Sequence, residues 1–301
     1  MFKQIKKVIK KLLPTSIRGV VKKVFYFPKV QFARLAFIFS GTEPTWLSPD
    51  LIDAWIKTFP PVGDYDYSDE GRAKRGLERA KMILDLMDGK APNSTLELGC
   101  MDAMASATLL QEGVVSAIGL DVDDAISPAA KQAGVKFLHI PAENIPLPDD
   151  SVDLVFSFNT LEHVVDPAQV VQEIKRVLRP GGYFFADFDP LYYSARGLHA
   201  YRKINIPYCQ FLFKNEDLVA YADKHQLNWA ELPGVNKYSA DQFRQVWSKM
   251  NEDFEIKHYS EEVDLVNIDL IRKYPSCFKK ERVPFHNFLV SRMRILAKKK
   301  I

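Results

Sequence analysis

Apolar positions along the chain switch between a short, continuous spacing and a helical one. Residues 95–99, TLELG, are a brief β-favouring run that stops at a glycine, which predicts a buried parallel strand. Met104, Ala105, Ala107, Leu109 and Leu110 follow at helical spacing, and residues 117–120 return to strand and stop at Asp121. The alternation continues with a helix over 128–133 and strands over 135–140 and 152–158. A helix over 167–178 is led by Asp166 as its cap and Pro167 at its first position, and Arg179-Pro180-Gly181-Gly182 stops it before a strand over 182–188. Upstream, residues 68–87 read as a helix capped by Ser68. Downstream, helices are expected near 218–224, 239–250 and 265–273, with strands over 254–259 and 288–296. Strands alternating with helices predict an α/β fold, a mostly parallel sheet sandwiched by helices.

The first 45 residues follow another pattern. Residues 1–13 place Phe2, Ile5, Ile9, Leu12 and Leu13 on one helical face and five lysines on the other, and Pro14 ends that helix. A second basic helix, 17–27, is expected to end at Pro28, before a very apolar segment, 30–39, that only Arg34 interrupts. Residues 1–42 contain ten Lys or Arg and no Asp or Glu, although the net charge of the chain is only +3. The remainder is therefore acidic on balance, which argues against a nucleic-acid binder. A basic amphipathic extension suits an anionic membrane surface, and the competing expectation is that its apolar stripe packs on the main domain. The boundary is placed in the Pro-, Trp- and Tyr-rich connector, giving an extension over 1–45 and a domain over 46–301. No apolar run is long enough for a transmembrane helix, and no signal-peptide pattern is expected, so the chain reads as cytoplasmic and peripheral on the inner face of a membrane. Cys100, Cys209 and Cys277 are odd in number, widely spaced and without C-x-x-C pairing, so they suggest neither a disulfide framework nor a zinc site.

The strand, turn and helix at 95–121 carry the candidate chemistry. Ligands bind in the crevice outside the carboxyl ends of such strands, and Asp121 lies where an acid can hold ribose hydroxyls. A dinucleotide is excluded, because the glycines that let backbone approach a pyrophosphate are Met101 and Met104 here. A nucleoside without phosphates meets no such objection. On these residues the stretch resembles the class I S-adenosylmethionine-dependent methyltransferases, in which the acid two before the glycine, here Glu97, anchors the amino end of the cofactor. Met101 and Ala103 replace two of the usual glycines of that family. The runs Ile145-Pro146-Leu147-Pro148-Asp149-Asp150, Asp153-Leu154-Val155, Leu161-Glu162-His163-Val164 and Arg176-Val177-Leu178-Arg179-Pro180-Gly181-Gly182 are similar to its later motifs, so the resemblance covers about residues 68–190. It implies a Rossmann-like seven-stranded sheet closed by an antiparallel hairpin, with S-adenosylmethionine as cofactor. Carried over position by position, the cofactor-binding residues are Glu97, Gly99, Cys100, Asp121, Ala142, Glu143 and Asn159. Glu143 stands in for the usual acid, which is Pro141 here, and Cys100 is expected to pack rather than react.

Methyl transfer chiefly needs positioning, and an aliphatic hydroxyl acceptor adds the need for a base. His163, after strand four, is the first candidate, and His199, in the aromatic and basic insertion over 189–238, is the second. Tyr192, Tyr193 and Arg196 suit a sugar ring and its hydroxyls. Some metal-dependent O-methyltransferases carry E-x-x-E-H at this point and a further histidine downstream. Here the first carboxylate is Asn159, so no metal is assigned. The insertion is similar to those of bacterial methyltransferases of surface-polysaccharide pathways. The expectation is methyl transfer to a hydroxyl of a membrane-linked glycan or glycolipid precursor. Alternatives are a phenol or quinone precursor, or a non-catalytic membrane-recruited adaptor with a degenerate site.

Overall fold

A computed structural model of the chain describes residues 15–87, 89–227 and 234–301, with side chains from residue 26 onward. The expected helix over 1–13 lies outside the described residues. The first described helix, α1, spans Thr15–Phe39, and α2 (Ile52–Thr58) and α3 (Asp69–Leu86) follow. The central unit alternates β1 (Ser94–Leu98), α4 (Met104–Gln111), β2 (Ser116–Asp121), α5 (Pro128–Gln132), β3 (Lys136–His139), β4 (Val152–Phe158), α6 (Pro167–Val177) and β5 (Leu178–Phe188). Then come α7 (Cys209–Leu212), α8 (Asn215–Lys224), α9 (Ala240–Met250), β6 (Phe254–Val263), α10 (Ile268–Lys273), α11 (Pro275–Lys279) and β7 (Val290–Lys299).

The helices start where side-chain oxygens satisfy orphan amides. Ser68 Oγ accepts from Gly71 at the head of α3, Asp166 accepts from Ala168 and Gln169, and Ser239 and Gln242 form a reciprocal capping box on α9. The seven strands form one sheet of order β3-β2-β1-β4-β5-β7-β6. β1 to β5 are parallel, while β7 runs antiparallel between β5 and β6, the closing hairpin that the resemblance implies. Strand order reverses between β1 and β4, which places a crevice at their carboxyl ends. Asp187 joins β5 to β7: its buried carboxylate accepts from Arg292 Nε at 2.7 Å and Arg294 Nε at 3.0 Å.

Two expectations are corrected. Pro28 does not end a helix, since α1 runs through it to Phe39. Proline removes one i to i−4 bond and costs roughly 3 kcal/mol in a helix interior, but the turns beyond it are anchored by packing. Ala33 and Phe37 are buried, Phe37 lies against Phe285 and Phe288, and Lys29 pairs with Asp269 at 2.8 Å. Strand five starts at Leu178 rather than after the glycines, because Arg179 to Gly182 form an irregularity between paired residues Leu178 and Tyr183 instead of a gap.

A second apolar core lies beside the sheet. It is built from the insertion (Tyr208, Phe211, Phe213), from α10, α11 and the segment before β7 (Ile271, Phe278, Phe288), and from Ala33 and Phe37 of α1. The outer face of α1 stays apolar: Phe27, Phe32, Leu35, Ile38 and Phe39 are exposed, Phe39 at 83%. Among the described residues no helix is long and apolar enough to cross a membrane.

Candidate active site

The turn after β1 is held from both sides. Cys100 donates its N–H to Leu120 at 3.0 Å, Ala103 donates to Cys100 at 2.7 Å, and Met101 donates to Asp121 Oδ2 at 2.7 Å. Gly99 has φ +64°, and a Cβ there would collide with the Thr160 side chain, so this position admits only glycine. Met101 and Ala103 also have positive φ, +49° and +56°. The turn thus keeps a glycine-like path in spite of the two replacements, at a cost of about 1–2 kcal/mol for each L-residue. The Ala103 methyl is buried and Met101 points largely to solvent.

Asp121 ends β2 half-buried, with Oδ2 on the Met101 amide and Oδ1 on the Asp123 amide at 3.0 Å. Each oxygen keeps a second lone pair, the chemistry a pair of ribose hydroxyls requires. Glu97 is placed differently. It is 1% exposed, and Oε2 accepts from Ser106 Oγ at 2.6 Å and Ser106 N at 3.2 Å, which ties the end of β1 to the first turn of α4. Burial pushes its carboxyl up to about 7. Burial also raises the Cys100 thiol far above its usual range, which keeps it a packing group. Ala142 lies in the main core. Glu143 Oε1 accepts from Val165 at 2.8 Å and Asp166 at 3.4 Å, tying the loop after β3 to the one after β4. Asn159, at φ +53°, accepts from the Asp189 amide at 3.2 Å through Oδ1, linking the ends of β4 and β5. Asp121 and the 99–103 backbone therefore fit a phosphate-free nucleoside.

The structure brings the two candidate histidines together. His163 and His199 meet edge to face, with ring centroids 4.8 Å apart. His163 Nδ1 lies 2.8 Å from the Gly234 carbonyl and His199 Nε2 lies 2.7 Å from the Pro190 carbonyl. A carbonyl only accepts, so those nitrogens carry the protons, and the lone pairs fall on His163 Nε2 and His199 Nδ1. Burial holds both rings below the usual histidine range, His199 at about 4.

A polar cavity of about 190 Å³ adjoins Pro190 and is lined by Asp189, Ser194, Arg196, Tyr201 and Ser291 among others. Ser194 Oγ is buried there without a partner. Arg202 lies over Tyr65 at 4.0 Å and Tyr201 at 5.4 Å, which binds the insertion to the connector before α3. Tyr192 and Tyr193 pack on the second core: Tyr193 stacks on Phe211 at 5.9 Å and Tyr192 meets the same ring edge-on. A loop has no side-chain period, so pattern could not sort inward rings from outward ones. Sequence reasoning also missed Asn236. Its side chain donates to the carbonyls of Leu161 and Val164 at 2.7 and 2.9 Å, and its N–H donates to that of Glu162, which clamps the loop bearing His163. Of the residues lining the cavity, Arg196 is one that the sequence pointed to.

A mostly parallel α/β sheet with this strand order, with a tight turn after β1 and an acid at the end of β2, has the Rossmann-like architecture. Residues 96–186 match the family model described as a methyltransferase domain. Over that stretch, about a third of the chain, the sequence is similar to S-adenosylmethionine-dependent methyltransferases. A protein of Mycolicibacterium smegmatis described as a probable S-adenosylmethionine-dependent methyltransferase is 42% identical over 96 residues, 31% of this chain and 37% of that one. The 27-O-demethylrifamycin SV methyltransferase of Amycolatopsis mediterranei is 26% identical over 59% of this chain and 70% of its own length. Among solved structures, an S-adenosylmethionine-dependent methyltransferase from Mesorhizobium loti aligns with a TM-score of 0.46 at 19% identity, covering 73% of this chain and 97% of that one. The chain spans about a third to a half of the length of the curated relatives it matches first.

Proposed function

We propose that the chain transfers the methyl group of S-adenosylmethionine to a hydroxyl of a membrane-linked glycan or glycolipid precursor. The observation that carries this reading is the His163 and His199 pair, each ring fixed through one nitrogen and free at the other, beside the polar cavity. When bound, the cofactor supplies an electrophilic methyl on a sulfonium. The 99–103 turn and Asp121 hold its nucleoside part. An aliphatic hydroxyl attacks well only as its proton is drawn off, and a neutral imidazole is the group suited to accept it near neutral pH. His163 Nε2 and His199 Nδ1 are the two lone pairs available.

Ser194, Arg196, Tyr201 and Asp189 offer several donors and acceptors in a small volume, which favours an acceptor rich in hydroxyls over a flat apolar ring. The rifamycin-pathway relative, named for a 27-O position, supports oxygen as the methylated atom. The membrane part of the proposal rests on α1. One side of it is anchored in the second core and the other presents Phe27, Phe32, Leu35, Ile38 and Phe39 to solvent, within a stretch of 42 residues that carries ten basic groups and no acid. Apolar rings beside excess positive charge match an anionic lipid surface.

The test is calorimetric titration of the whole chain with S-adenosylmethionine and its demethylated product, followed by transfer of labelled methyl to membrane lipid extracts and to water-soluble glycans. Binding of both ligands and label in the lipid-linked fraction is expected. A folded sample that binds neither ligand overturns the enzyme reading in favour of an adaptor, and label only in soluble acceptors removes the membrane-linked substrate.

A further inference from the structure

The insertion carries two cations that the fold leaves unpaired. Among the described residues neither the Arg196 nor the Arg202 guanidinium takes part in an ion pair or a hydrogen bond, and Arg202 Nε is buried without a partner. Arg202 packs on two aromatic rings, 4.0 Å from the Tyr65 centroid and 5.4 Å from that of Tyr201, and Arg196 lies 5.7 Å from the same Tyr201 ring. Cation–π contact steadies the charge but satisfies none of the five N–H donors of a guanidinium. A partly buried arginine is ordinarily matched by a carboxylate or by carbonyls, and among the described residues none takes that place.

Beside these cations lies a cavity rich in hydroxyl partners. Tyr201, whose ring meets both guanidiniums, also lines it. Its two acids are committed elsewhere: Asp189 lies 3.6 Å from Arg292, and Asp264 accepts the Val266 N–H at 2.9 Å. Ser194 Oγ is buried in the same cavity without a partner. His199, three residues before Arg202, has its ring 6.4 Å from that of Tyr201. Burial holds that imidazole below the usual range, and the charge of Arg202 adds to the effect.

We infer that Arg202 binds a phosphoryl group joined to the sugar of the methyl acceptor, with the sugar itself in the polar cavity. The inference deepens the acceptor reading above and rests on it. A guanidinium fork matches two oxygens of a phosphoryl group, and Arg196 adds a second positive charge for a dianion. Ser194, Asp189 and Asp264 then face sugar hydroxyls, which both donate and accept. With the His199 ring beside Tyr201, a hydroxyl of that sugar comes within reach of the imidazole pair. A phosphoryl group can also join a sugar to a lipid, in keeping with a membrane-linked acceptor.

The experiment is calorimetric titration of the whole chain with glucose 1-phosphate, glucose, glucuronate and inorganic phosphate, with S-adenosylmethionine binding measured on the same samples. Glucose 1-phosphate is expected to bind once per chain, at least about tenfold more tightly than glucose or glucuronate. Arg202→Gln should abolish that preference and Arg202→Lys should keep only part of it, while cofactor affinity changes less than about twofold in both. Equal affinity for glucose 1-phosphate and glucose in wild type overturns the inference without any variant. A preference that survives Arg202→Gln also overturns it, since Arg202 then only fastens the insertion to Tyr65. Tighter binding of glucuronate assigns the site to a carboxylate instead. Inorganic phosphate should compete weakly and phosphatidic acid vesicles not at all, because neither fills the cavity; vesicles that displace glucose 1-phosphate place a lipid headgroup at Arg202 and overturn the sugar phosphate. A phosphate preference in a chain that does not bind S-adenosylmethionine keeps the subsite and sinks the methyltransferase reading, and cofactor binding without the preference does the reverse.

Discussion

His163 and His199 approach edge to face at 4.8 Å although one follows β4 and the other belongs to the insertion. Each ring is oriented by a carbonyl from a different part of the chain, Gly234 for His163 and Pro190 for His199. His163→Ala is therefore expected to reduce turnover by on the order of 10² to 10⁴, the usual worth of a positioned proton acceptor or its equivalent. Cofactor affinity should stay within about twofold, since the ring does not touch the 99–103 turn or Asp121. Parallel losses of turnover and cofactor affinity would show that the ring is structural.

Asp121 serves the turn and, on our reading, the ribose. Asp121→Ala should weaken S-adenosylmethionine by about 1–3 kcal/mol, the loss of charge-assisted hydrogen bonds. Asp121→Asn keeps one acceptor oxygen, at Oδ1, and should fall between wild type and alanine. Calorimetric affinities within error of wild type for both variants would place the ribose elsewhere.

Glu97 sets a pH dependence of stability. Its folded carboxyl titrates at about 7 because burial outweighs the bonds from Ser106, against 4.5 for the free side chain. Between those values the folded chain holds a proton that the unfolded chain has released. The contribution is full below pH 4.5 and is lost as pH rises through 7, by about 3 kcal/mol. Urea unfolding at pH 5 and pH 8 should show that decline in wild type and a flatter profile in Glu97→Gln. Equal slopes in the two proteins would mean that Glu97 is charged in the fold.

Asp187 is 1% exposed and bonded by two arginines of β7. Asp187→Ala leaves those cations without their counter-charge at the β5–β7 seam and should cost about 3 kcal/mol. A melting temperature within 2 °C or so of wild type, about 1 kcal/mol or less for a chain of this size, would contradict that account.

The outer face of α1 is tested by Phe32→Glu with Phe39→Glu. Both rings are exposed, so folding should be unaffected. Sedimentation with anionic vesicles is expected to fall several-fold, and wild-type binding should weaken in high salt, because its basic groups are screened. Unchanged sedimentation of the variant would remove the membrane proposal.

The α/β class, the strand ends at Gly99 and Asp121, and the helix starts at Ser68, Asp166 and Ser239 were all legible in the chain, because periodicity and caps are local. So was the resemblance to a methyltransferase domain, whose motifs lie within one continuous stretch. Tertiary structure alone decided the rest. Pro28 marks a local break that distant burial of Ala33 and Phe37 overrides. Glu97 and Glu143 are acids in suitable places, but that Oε2 of Glu97 meets Ser106 and Oε1 of Glu143 meets Val165 is stated by no pattern. The meeting of His163 and His199, and the tautomers that Gly234 and Pro190 impose, depends on how the insertion folds back over the sheet. Local sequence determines which elements form, and long-range packing determines which of their side chains meet.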